Sequence, residues 1–342
     1  MDARRYKELG VSSAKTALNG IAIAGGTFCP MVPDGDSGFC TVLHSDGTGT
    51  KALLANPNDY ASVLKLAQDA IVMNTDDMAC VGVTGGFIVN TIINRNPDVV
   101  DDDGVRNIIA AINDVCGSLR RMGIEITTCG GETADVGEMV TTFTLDVTAV
   151  ARIRATDVVN NADVRPGDVI VGLASAGQAN YEEEPNSGVG SNGLTWLRHD
   201  LLPKHPEAVD LLTSPTRTYL PVIKNVIAAL RHDVHGMEHI TGGGQTKTMR
   251  AIPPFHVVKD NMMPVPQVFA MLAEMPDVCI PDMYRVFNMG HRFEIFTAPE
   301  HAGTVIDIAA SHGVEARVVG RVTDIPGRHL TLHTPYGIYD YE

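Results

Sequence analysis

The sequence predicts an α/β (α+β) protein with two domains, and three observations support this fold class. The chain has 342 residues, which is more than one hydrophobic core usually organises. In its first half, apolar runs typical of strands alternate with apolar positions at helical spacing. A polar turn, Asp163-Val164-Arg165-Pro166-Gly167-Asp168, then precedes a new apolar run. We therefore expect an N-terminal domain over residues 1–165 and a C-terminal domain over residues 166–342.

The first half of the sequence predicts two helices and four strands after an N-terminal arm. Residues 1–38 have weak periodicity and resemble an arm or loop. One helix starts at Asn58 or Asp59, either of which can cap it, and its apolar positions continue to 76–77. A second helix covers 101–122, because three aspartates place negative charge at its N-terminus and Gly123 stops the periodicity. Strands are predicted at 39–43, 87–93, 124–129 and 139–150.

The second half predicts a mixture of strands and helices. Residues 178–190 carry Glu182-Glu183-Glu184-Pro185 and are expected to be a solvated loop, since runs of like charge usually remain in water. Extended segments are predicted at 169–174, 293–296 and 314–322, and helices at 216–230, 265–275 and 299–312. The C-terminal domain is therefore expected to be of the mixed α/β class.

The composition indicates a globular protein and argues against two classes of partner. Hydrophobic residues make up 44% of the chain and charged residues 20%. The formal net charge of -15 disfavours a general nucleic-acid binder, because affinity for a polyanion needs a cationic surface. The N-terminus lacks the apolar stretch of a signal peptide, and no later run approaches the length that spans a bilayer. We expect a cytoplasmic protein with no nucleic-acid or membrane partner.

The most informative stretch is Asp46-Gly47-Thr48-Gly49-Thr50-Lys51, which follows the first predicted strand. Its glycines allow a tight turn and close approach of the backbone to a ligand, and its backbone N–H groups can form an anion nest. Lys51 can neutralise phosphate charge, and Asp46 can hold a divalent cation. A stretch of this composition is also often only a turn. From the residues alone, phosphate binding and a plain turn are equal alternatives.

Three carboxylates could complete a nucleotide site around Lys51. Asp46, Asp77 and Glu132 each lie at the end of a separate predicted element, beside glycine or another acid. Magnesium bound with a nucleotide usually takes one or two carboxylates together with phosphate oxygens. Gathering these acids would form a Mg-ATP site. Taken one at a time, each acid is better explained as a helix end or a loop residue.

Three features of the second half are candidates for binding an anion. Thr241-Gly242-Gly243-Gly244 fits either a backbone anion nest or a flexible turn. His239 fits a phosphate donor or a proton carrier, although a lone histidine is more often structural. Arg217 fits a phosphate clamp or the partner of a surface acid.

Two familiar nucleotide-binding patterns fail in their context. Residues 188–193 spell G-x-G-x-x-G, but an acidic loop separates them from the preceding strand, whereas a dinucleotide fingerprint follows its strand directly. Residues 242–248 resemble a Walker A loop but have Thr246 in place of the glycine before Lys247. We therefore assign neither pattern to a nucleotide.

Taken together, these residues resemble the phosphoribosylformylglycinamidine cyclo-ligase (AIR synthetase) family over nearly the whole chain. Each motif is short, but the ordered set is specific. The motifs are Tyr6-Lys7-Glu8-Leu9-Gly10-Val11, residues 46–51, Asp76-Asp77, Gly130-Gly131-Glu132-Thr133-Ala134, Ser191-Asn192-Gly193, Ser214-Pro215-Thr216-Arg217-Thr218-Tyr219, residues 239–244 and Met283-Tyr284-Arg285-Val286-Phe287-Asn288-Met289-Gly290.

The resemblance implies a fold, a reaction and cofactors. The N-terminal domain would contribute strands to a barrel across a homodimer, and the active sites would lie near the cleft between the domains. The implied enzyme is an ATP-dependent ligase of purine biosynthesis, which converts formylglycinamidine ribonucleotide to aminoimidazole ribonucleotide, ADP and phosphate. The γ-phosphoryl group of ATP would pass to an amide oxygen, and a ring nitrogen would then displace phosphate from the iminophosphate. ATP and Mg²⁺ are the implied cofactors, and the substrate is a phosphorylated small molecule.

The resemblance also implies roles for particular residues. Lys51, Asp77 and His239 are implied in catalysis, and Asp46, Asp77 and Glu132 in holding the metal. Implied ATP contacts are Asp46, Gly47, Thr48, Gly49, Thr50, Lys51, Asp76, Asp77, Gly130, Gly131 and Glu132. Implied substrate contacts are Ser191, Asn192, Arg217, Thr241, Gly242, Gly243, Gly244 and Asn288.

The sequence departs from the family at three places. Many relatives carry a histidine just before Ser-Asn-Gly, where this chain has Gly190, and His239 is the candidate to replace it. Many have Asn at the position of Asp76, and the glycine-rich segment before the first core strand is reduced to Gly25-Gly26 and residues 35–38. Two alternatives therefore stay open. One is an ATP-using relative of the thiamine-monophosphate kinase or selenophosphate synthetase type, and the other is a nucleotide-binding regulatory protein without turnover.

Overall fold

The computed structural model of the chain describes residues 26–35 and 38–342. Two separate sheets, of five and seven strands, form the cores of its two halves, and helices pack against both. This arrangement confirms the predicted α/β fold class. Most of the predicted N-terminal arm, including the motif at residues 6–11 and Gly25, lies outside the described residues.

The first sheet is mixed and open in the single chain. Its strands are β1 (Met31–Pro33), β2 (Phe39–Gly47), β3 (Phe87–Arg95), β4 (Ile126–Asp135) and β5 (Phe143–Arg154). They lie in the order β1-β2-β5-β3-β4, with β3 and β4 parallel and the other neighbours antiparallel. Because β1 and β4 form its two edges, the strands of the described part of the chain do not close into a barrel by themselves.

Two long helices, α1 (Tyr60–Ala79) and α2 (Asp102–Arg121), pack with this sheet in the first core. Asp59 caps α1 by accepting a hydrogen bond from the backbone N–H of the second residue of the helix. Asp101 caps α2 by accepting a hydrogen bond from the backbone N–H of its third residue, Gly104, and the helix begins with two further aspartates. Both predicted helix starts are therefore confirmed by their side-chain chemistry.

The opposite face of the first sheet exposes apolar side chains. Leu43, Val150 and Ile88 are cross-strand neighbours in one row across β2, β5 and β3. Leu43 is 51% exposed and Ile88 49%, and Ile92, two residues further along the same face of β3, is 43% exposed. We call this surface, defined by Leu43, Ile88, Ile92 and Val150, the open face. Contiguous apolar patches on protein surfaces often mark interaction sites.

The second sheet is larger and largely antiparallel. Its strands are β6 (Val169–Ala174), β9 (Val234–His239), β10 (Phe255–Lys259), β11 (His291–Thr297), β12 (Ala316–Pro326), β13 (His329–Thr334) and β14 (Gly337–Tyr341), and a separate ribbon pairs β7 (Ala176–Gly177) with β8 (Asn186–Ser187). The order is β14-β13-β10-β12-β6-β11-β9, with only the β10 and β13 neighbours parallel. Every residue of β11 is buried, so this strand is covered on both faces.

The helices of the second half are shorter than those of the first. They are α3 (Leu194–Trp196), α4 (Val209–Thr213), α5 (Leu220–Leu230), α6 (Thr248–Ala251), α7 (Gln267–Ala273), α8 (Ile280–Val286) and α9 (Ala302–Ser311). Across the described residues, no helix is both long enough and apolar enough to cross a bilayer.

A cluster of charged side chains is buried in the second sheet. Glu238 of β9 lies opposite Glu294 of β11, and neither is exposed. The Nζ atom of Lys259 and the Nε2 atom of His291 lie 2.5 and 2.7 Å from Glu294 Oε1. Burial alone would raise the pKa of Glu294, but the charge of Lys259 lowers it to about 2. Burial and the negative charge of Glu294 raise the pKa of Glu238 to about 8, so Glu238 is mostly protonated at neutral pH.

Several predicted boundaries shift, for physical reasons. β4 continues through residues 130–135, which we expect from sequence to be a loop, because pairing with β3 outweighs the weak strand propensity of the glycines. α5 begins at Leu220 instead of 216, because residues 216–219 bond to α1 in an irregular conformation. The sequence does not predict β10, β13, β14 or α8.

Candidate active site

Buried polar side chains line the contact between the two halves of the molecule. Asp69, Asn74, Asp76 and Asp77 lie on the C-terminal part of α1 and are all buried. Buried acids are costly unless they are hydrogen bonded or paired. Asp69, Asp76 and Asp77 find partners in the second half of the chain. The region where the halves meet, which we call the cleft, is therefore the candidate active site.

Asp77 is at the centre of this site. Its Oδ1 lies 2.6 Å from Nδ1 of His239, and its Oδ2 lies 3.3 Å from Nε2 of His44. Burial alone would raise the pKa of Asp77, but hydrogen bonds with the two histidines hold it well below its ordinary value. Burial opposes protonation of His44, yet contact with Asp77 raises the pKa of His44 above its usual value. Asp77 is therefore an ionised carboxylate between two imidazoles.

His239 connects Asp77 to Arg292. Its Nε2 lies 2.8 Å from Nη2 of Arg292. A guanidinium can only donate hydrogen bonds, so His239 Nε2 accepts and the ring proton lies on Nδ1, which donates to Asp77. Burial lowers the pKa of His239 to about 4, which agrees with a neutral ring. Since both nitrogens are engaged, the predicted catalytic proton transfer by His239 would require one of these bonds to break.

Lys51 is buried, and its ammonium group has three acceptors. The Nζ atom lies 2.9 Å from Asp69 Oδ1, 3.1 Å from the carbonyl oxygen of Gly190 and 2.6 Å from that of Ser214. These contacts match the three N–H donors of a lysine. Burial lowers the pKa of Lys51, although the charge of Asp69 opposes this. Lys51 thus ties the first half to two loops of the second, and its predicted contact with phosphate would require one of these bonds to break.

The rest of the stretch at residues 46–51 ends β2 and enters a turn. Asp46 Oδ1 accepts a hydrogen bond from the N–H of Gly47 at 2.7 Å. Gly49 has a φ of 52°, a conformation that favours glycine. Thr48 is buried and Thr50 is exposed. Burial raises the pKa of Asp46, and nearby Asp77 adds to this effect. Asp46 and Asp77 are therefore close enough for their charges to interact.

Asp69 joins α1 to the segment that carries the predicted Ser-Asn-Gly substrate contact. Its Oδ1 accepts hydrogen bonds from Ser191 Oγ at 3.0 Å and from the backbone N–H of Thr216 at 2.7 Å. Asn192 is half-buried beside Ser191. The Ser-Asn-Gly turn is therefore held against the first half of the chain by a buried carboxylate.

Asp76 joins α1 to the start of α5. It accepts hydrogen bonds from Thr218 Oγ1 at 2.9 Å and from the backbone N–H of Tyr219 at 2.7 Å. Burial raises the pKa of Asp76 to about 7, against the effect of these two hydrogen bonds. At the position where many relatives have Asn, the acid therefore forms a contact between the halves.

The glycine-rich loop after β9 also borders the cleft. Lys247 Nζ lies 2.9 Å from the carbonyl oxygen of His239 and 2.7 Å from Thr241 Oγ1. Gly243 and Gly244 have φ values of 115° and 54°, and a side chain at position 244 would overlap the backbone of α8. Gly242 and Gly243 are half-buried. The predicted anion nest is thus a fixed turn that keeps part of its backbone accessible.

Arg217 is engaged by the protein, so the predicted contact with substrate would require some of its hydrogen bonds to break. It is 1% exposed. Its Nε and Nη2 atoms form a two-pronged contact with Glu182, at 2.9 and 2.6 Å. Its remaining N–H groups donate to the carbonyl oxygens of Ala174, Ala176 and Gly177. All five donors are used, so Arg217 holds the ribbon and the acidic loop in place, and Glu182 is a buried partner, not a solvated acid.

Asn288 is likewise fully engaged by the protein. Its Oδ1 accepts hydrogen bonds from Ser175 Oγ and the N–H of Gly290, and its Nδ2 donates to the carbonyl oxygen of Gly188 at 2.8 Å. Asn288 therefore supports the loop before Ser-Asn-Gly. A direct contact with substrate would have to replace these bonds.

Glu132, Gly130 and Gly131 lie outside this cleft. They belong to β4, which is separated from β2 by β5 and β3. The strand register places Glu132 in the same row as Gly47, three strands away, which corresponds to about 14 Å. Among the described residues, no three His, Cys, Asp or Glu side chains are placed to hold a metal ion together. Glu132 therefore lies apart from Asp46 and Asp77 within one chain, and the three-carboxylate metal site stays a prediction.

Sequence reasoning misses four residues of the site: His44, Asp69, Lys247 and Arg292. Asp69 carries a signal that could be found, since it lies one heptad before Asp76 on the buried face of an apolar helix. His44 and Lys247 have no such pattern. Arg292 depends on an irregularity in the pairing of β11, which the local sequence does not encode.

Comparisons with known proteins agree with this architecture. The family model "AIR synthase related protein, N-terminal domain" matches residues 14–153, and "AIR synthase related protein, C-terminal domain" matches residues 165–333. A phosphoribosylformylglycinamidine cyclo-ligase of Thermococcus gammatolerans is 30% identical over 298 residues, covering 84% of this chain and 81% of the relative. The enzyme of that name from Methanothermobacter thermautotrophicus is 30% identical over 343 residues, covering 93% and 91%.

Solved structures share the fold at low sequence identity. Phosphoribosylformylglycinamidine synthase II of Thermotoga maritima has a TM-score of 0.64 at 16% identity, covering 97% of this chain. This chain spans 48% of that protein, about half its length. A chain of the HypE-HypF complex has a TM-score of 0.65 at 12% identity, covering 97% of this chain and 99% of that one. These likenesses show the fold alone.

Proposed function

Because the chain belongs to the AIR synthase related family, we propose that it closes formylglycinamidine ribonucleotide to aminoimidazole ribonucleotide while converting ATP to ADP and phosphate. One observation carries the proposal. Most of the motifs that resemble those of the cyclo-ligases lie around Asp77 in the cleft. The stretch at residues 46–51, the Ser-Asn-Gly turn and the loop after β9 all border it. The 30% identity to enzymes of this name over most of the chain supports the same reaction.

Proteins of the same fold support ATP and a phosphorylated substrate as the ligands. The Thermotoga maritima protein PurL has been solved in complexes with ATP, with ADP and with FGAR. In this chain, the half-buried backbone of Gly242 and Gly243 and the exposed turn at Gly49 and Thr50 present N–H groups of the kind that hold phosphates. ATP would therefore lie along the cleft, with its phosphates near these two turns.

The chemistry of the reaction asks mainly for positioning and charge neutralisation. An amide oxygen is a poor leaving group, and phosphorylation converts it into phosphate, which leaves readily when the substrate's own nitrogen attacks. Holding ATP and the substrate in contact makes their reaction effectively unimolecular. Hydrogen-bond donors in fixed positions stabilise the charge on the transferred phosphoryl group. Residues locked by buried hydrogen bonds, such as Asp77, His239 and Ser191, suit this task because their positions change little during the reaction.

Asp46 and Asp77 fit a magnesium ion that is bound chiefly by nucleotide phosphates. Such an ion takes one or two protein carboxylates, and these two acids of the first half are close enough for the charge of Asp77 to act on Asp46. When bound, magnesium would neutralise charge on the phosphate chain. Asp46 is the better candidate ligand, because both oxygens of Asp77 already lie close to histidine nitrogens.

The open face supports the proposal of a homodimer. Its apolar row of Leu43, Val150 and Ile88 would be covered by the same row of a second copy. Pairing of two open sheets is also what the family resemblance implies. In a dimer, Glu132 would have access to a nucleotide held by the other subunit, which the single chain does not allow.

A turnover assay tests the function. Wild-type protein with formylglycinamidine ribonucleotide, ATP and magnesium should form ADP and aminoimidazole ribonucleotide in equal amounts. Asp77→Asn should reduce the rate by about 100-fold or more, since the charge that orders the site is lost, whereas Asp200→Asn, a change of an exposed acid, should not. ATP binding without product would favour the regulatory alternative. ATP consumption only with thiamine monophosphate or selenide would favour the other superfamily enzymes.

A further inference from the structure

Gly190 leaves a space that another side chain fills. Its φ is 70°, a left-handed conformation, and a Cβ atom built at this position would lie 2.8 Å from Arg292 Nη1 and 3.3 Å from Arg292 Cδ. The guanidinium group of Arg292 therefore occupies the place where a side chain at position 190 would begin.

A β-bulge brings Arg292 to this place. His291 pairs with Ala174 and Phe293 pairs with Leu173, so Arg292 is the extra residue of β11 at this point. A bulge turns a side chain away from the direction that regular alternation would give it, and bulges are common beside active sites. The carbonyl oxygen of Arg292 accepts a hydrogen bond from the N–H of Ile240 at 2.7 Å, which fixes the bulge against the end of β9.

The guanidinium is held by a chain of two side chains. Asp77 orients His239, and the neutral Nε2 of His239 accepts a hydrogen bond from Arg292 Nη2 at 2.8 Å. The bond to His239 fixes the plane of the guanidinium. It does not neutralise the charge of Arg292, because the His239 ring is uncharged. The neighbouring acid Asp76 instead bonds to Thr218 and Tyr219.

Most donors of Arg292 are unused by the protein. The residue is 3% exposed. Within residues 26–35 and 38–342, its side chain makes one hydrogen bond, to His239. A guanidinium has five N–H donors, so those that do not bond to His239 remain available to an anion. Arg217 provides the contrast, since the protein uses all five of its donors.

We propose that Arg292 is the residue that contacts a phosphoryl group in this cleft, and that Asp77 and His239 position it. Arg292 takes the place of the side chain that Gly190 lacks, and it binds phosphoryl oxygens through its planar, two-pronged face. The ligand is a terminal phosphoryl group, either the γ-phosphate of ATP or the phosphate monoester of the ribonucleotide substrate. This inference rests on the proposed function for its substrates.

Substitution of Arg292 tests the contact. Arg292→Gln should lower kcat/KM by about 100-fold, as expected for losing a group that stabilises developing charge. A fall in kcat with weaker ATP binding identifies the γ-phosphate as the ligand, and a raised KM for the ribonucleotide with unchanged ATP affinity identifies the substrate phosphate. Either result supports the proposal. Arg321→Gln, which changes an exposed arginine of the same sheet, is the matched control.

Two further variants separate this role from a structural one. Arg292→Ala should regain activity when millimolar guanidinium is added, whereas a merely structural loss would not respond. His239→Gln keeps an acceptor for Arg292 and should be more active than His239→Leu at equal stability. Fluorescence of Trp196, the one tryptophan of the chain, reports whether each variant is folded.

The proposal fails if Arg292→Gln matches wild type in kcat, in both KM values and in ATP affinity. It also fails if the loss in Arg292→Ala is not relieved by guanidinium and Arg292→Lys is no better than Arg292→Gln. If the wild-type protein forms no aminoimidazole ribonucleotide, the proposed function fails. The Arg292 contact is then judged by calorimetric binding of ATP and of the ribonucleotide, where Arg292→Gln should weaken one of them at least tenfold and unchanged affinity for both overturns it.

Discussion

Replacing Glu238 by glutamine should change how stability depends on pH, because Glu238 is buried opposite Glu294. Burial and the charge of Glu294 raise the pKa of Glu238 to about 8 in the folded state, whereas an unfolded glutamate has a pKa of about 4.3. Between these values the folded protein binds one more proton than the unfolded chain. The stabilisation is fully present below about pH 4 and is lost as pH rises through about 8.

The magnitude follows from the linkage relation. One extra bound proton gives a slope of about 1.4 kcal/mol per pH unit, so between about pH 5 and 8 wild type should lose about 4 kcal/mol relative to Glu238→Gln. Glutamine has nearly the shape of protonated glutamate and cannot ionise, so titrating groups that do not interact with Glu238 cancel in the comparison. The two proteins should have similar stability at pH 5, and the variant should be the more stable at pH 8.

Urea unfolding followed by Trp196 fluorescence measures this difference, because the one tryptophan lies in the same half of the chain as Glu238. Glu183→Gln, a change of an exposed glutamate, should show no such slope relative to wild type. The reasoning is refuted if the stability difference between wild type and Glu238→Gln is the same at pH 5 and at pH 8.

Three further predictions concern the cleft, the ribbon and the open face. Asp69→Asn leaves Lys51 buried without its counter-charge and should reduce the free energy of unfolding by about 3 kcal/mol; a denaturant midpoint equal to that of wild type would contradict this. Arg217→Ala should lower stability by about 3 kcal/mol, since Glu182, whose side chain is 9% exposed, loses its counter-charge. A raised substrate KM at unchanged stability would instead support the predicted role of Arg217 as a substrate contact. Ile88→Asp should convert a dimer into a monomer, as measured by light scattering. Ile325→Asp, which changes a similarly exposed isoleucine of the second half, should leave the dimer intact. A dimer that persists in Ile88→Asp argues against the open face as the interface.

The fold class and the helix starts can be predicted from the sequence because they depend on local signals. Asp59 and Asp101 are capping residues next to periodic apolar positions, and both cap helices in the structure. The strand at 130–135 cannot be predicted in this way, since its glycines favour a turn locally and only pairing with β3 makes them a strand. Tertiary pairing therefore overrides local propensity at this point.

The site can be predicted only in part, for a similar reason. The stretch at residues 46–51 and Asp77 are recognisable as motifs, and the structure places them at one cleft. Which cations remain available to a ligand depends on distant partners: Lys51 and Arg217 are engaged by the protein, while Arg292, which belongs to no motif, keeps free donors. The number of unused donors on a side chain is a property of the folded structure, so residue type and spacing do not reveal it.

The measurement that tests the central claim most directly follows the amide oxygen of the substrate. Formylglycinamidine ribonucleotide labelled with ¹⁸O at that oxygen is converted by the wild-type protein with ATP, and the phosphate released is analysed by mass spectrometry. The proposed phosphoryl transfer predicts that each phosphate carries one ¹⁸O atom and that ADP carries none. Ring closure with unlabelled phosphate, with the label released as water, would contradict the proposed reaction.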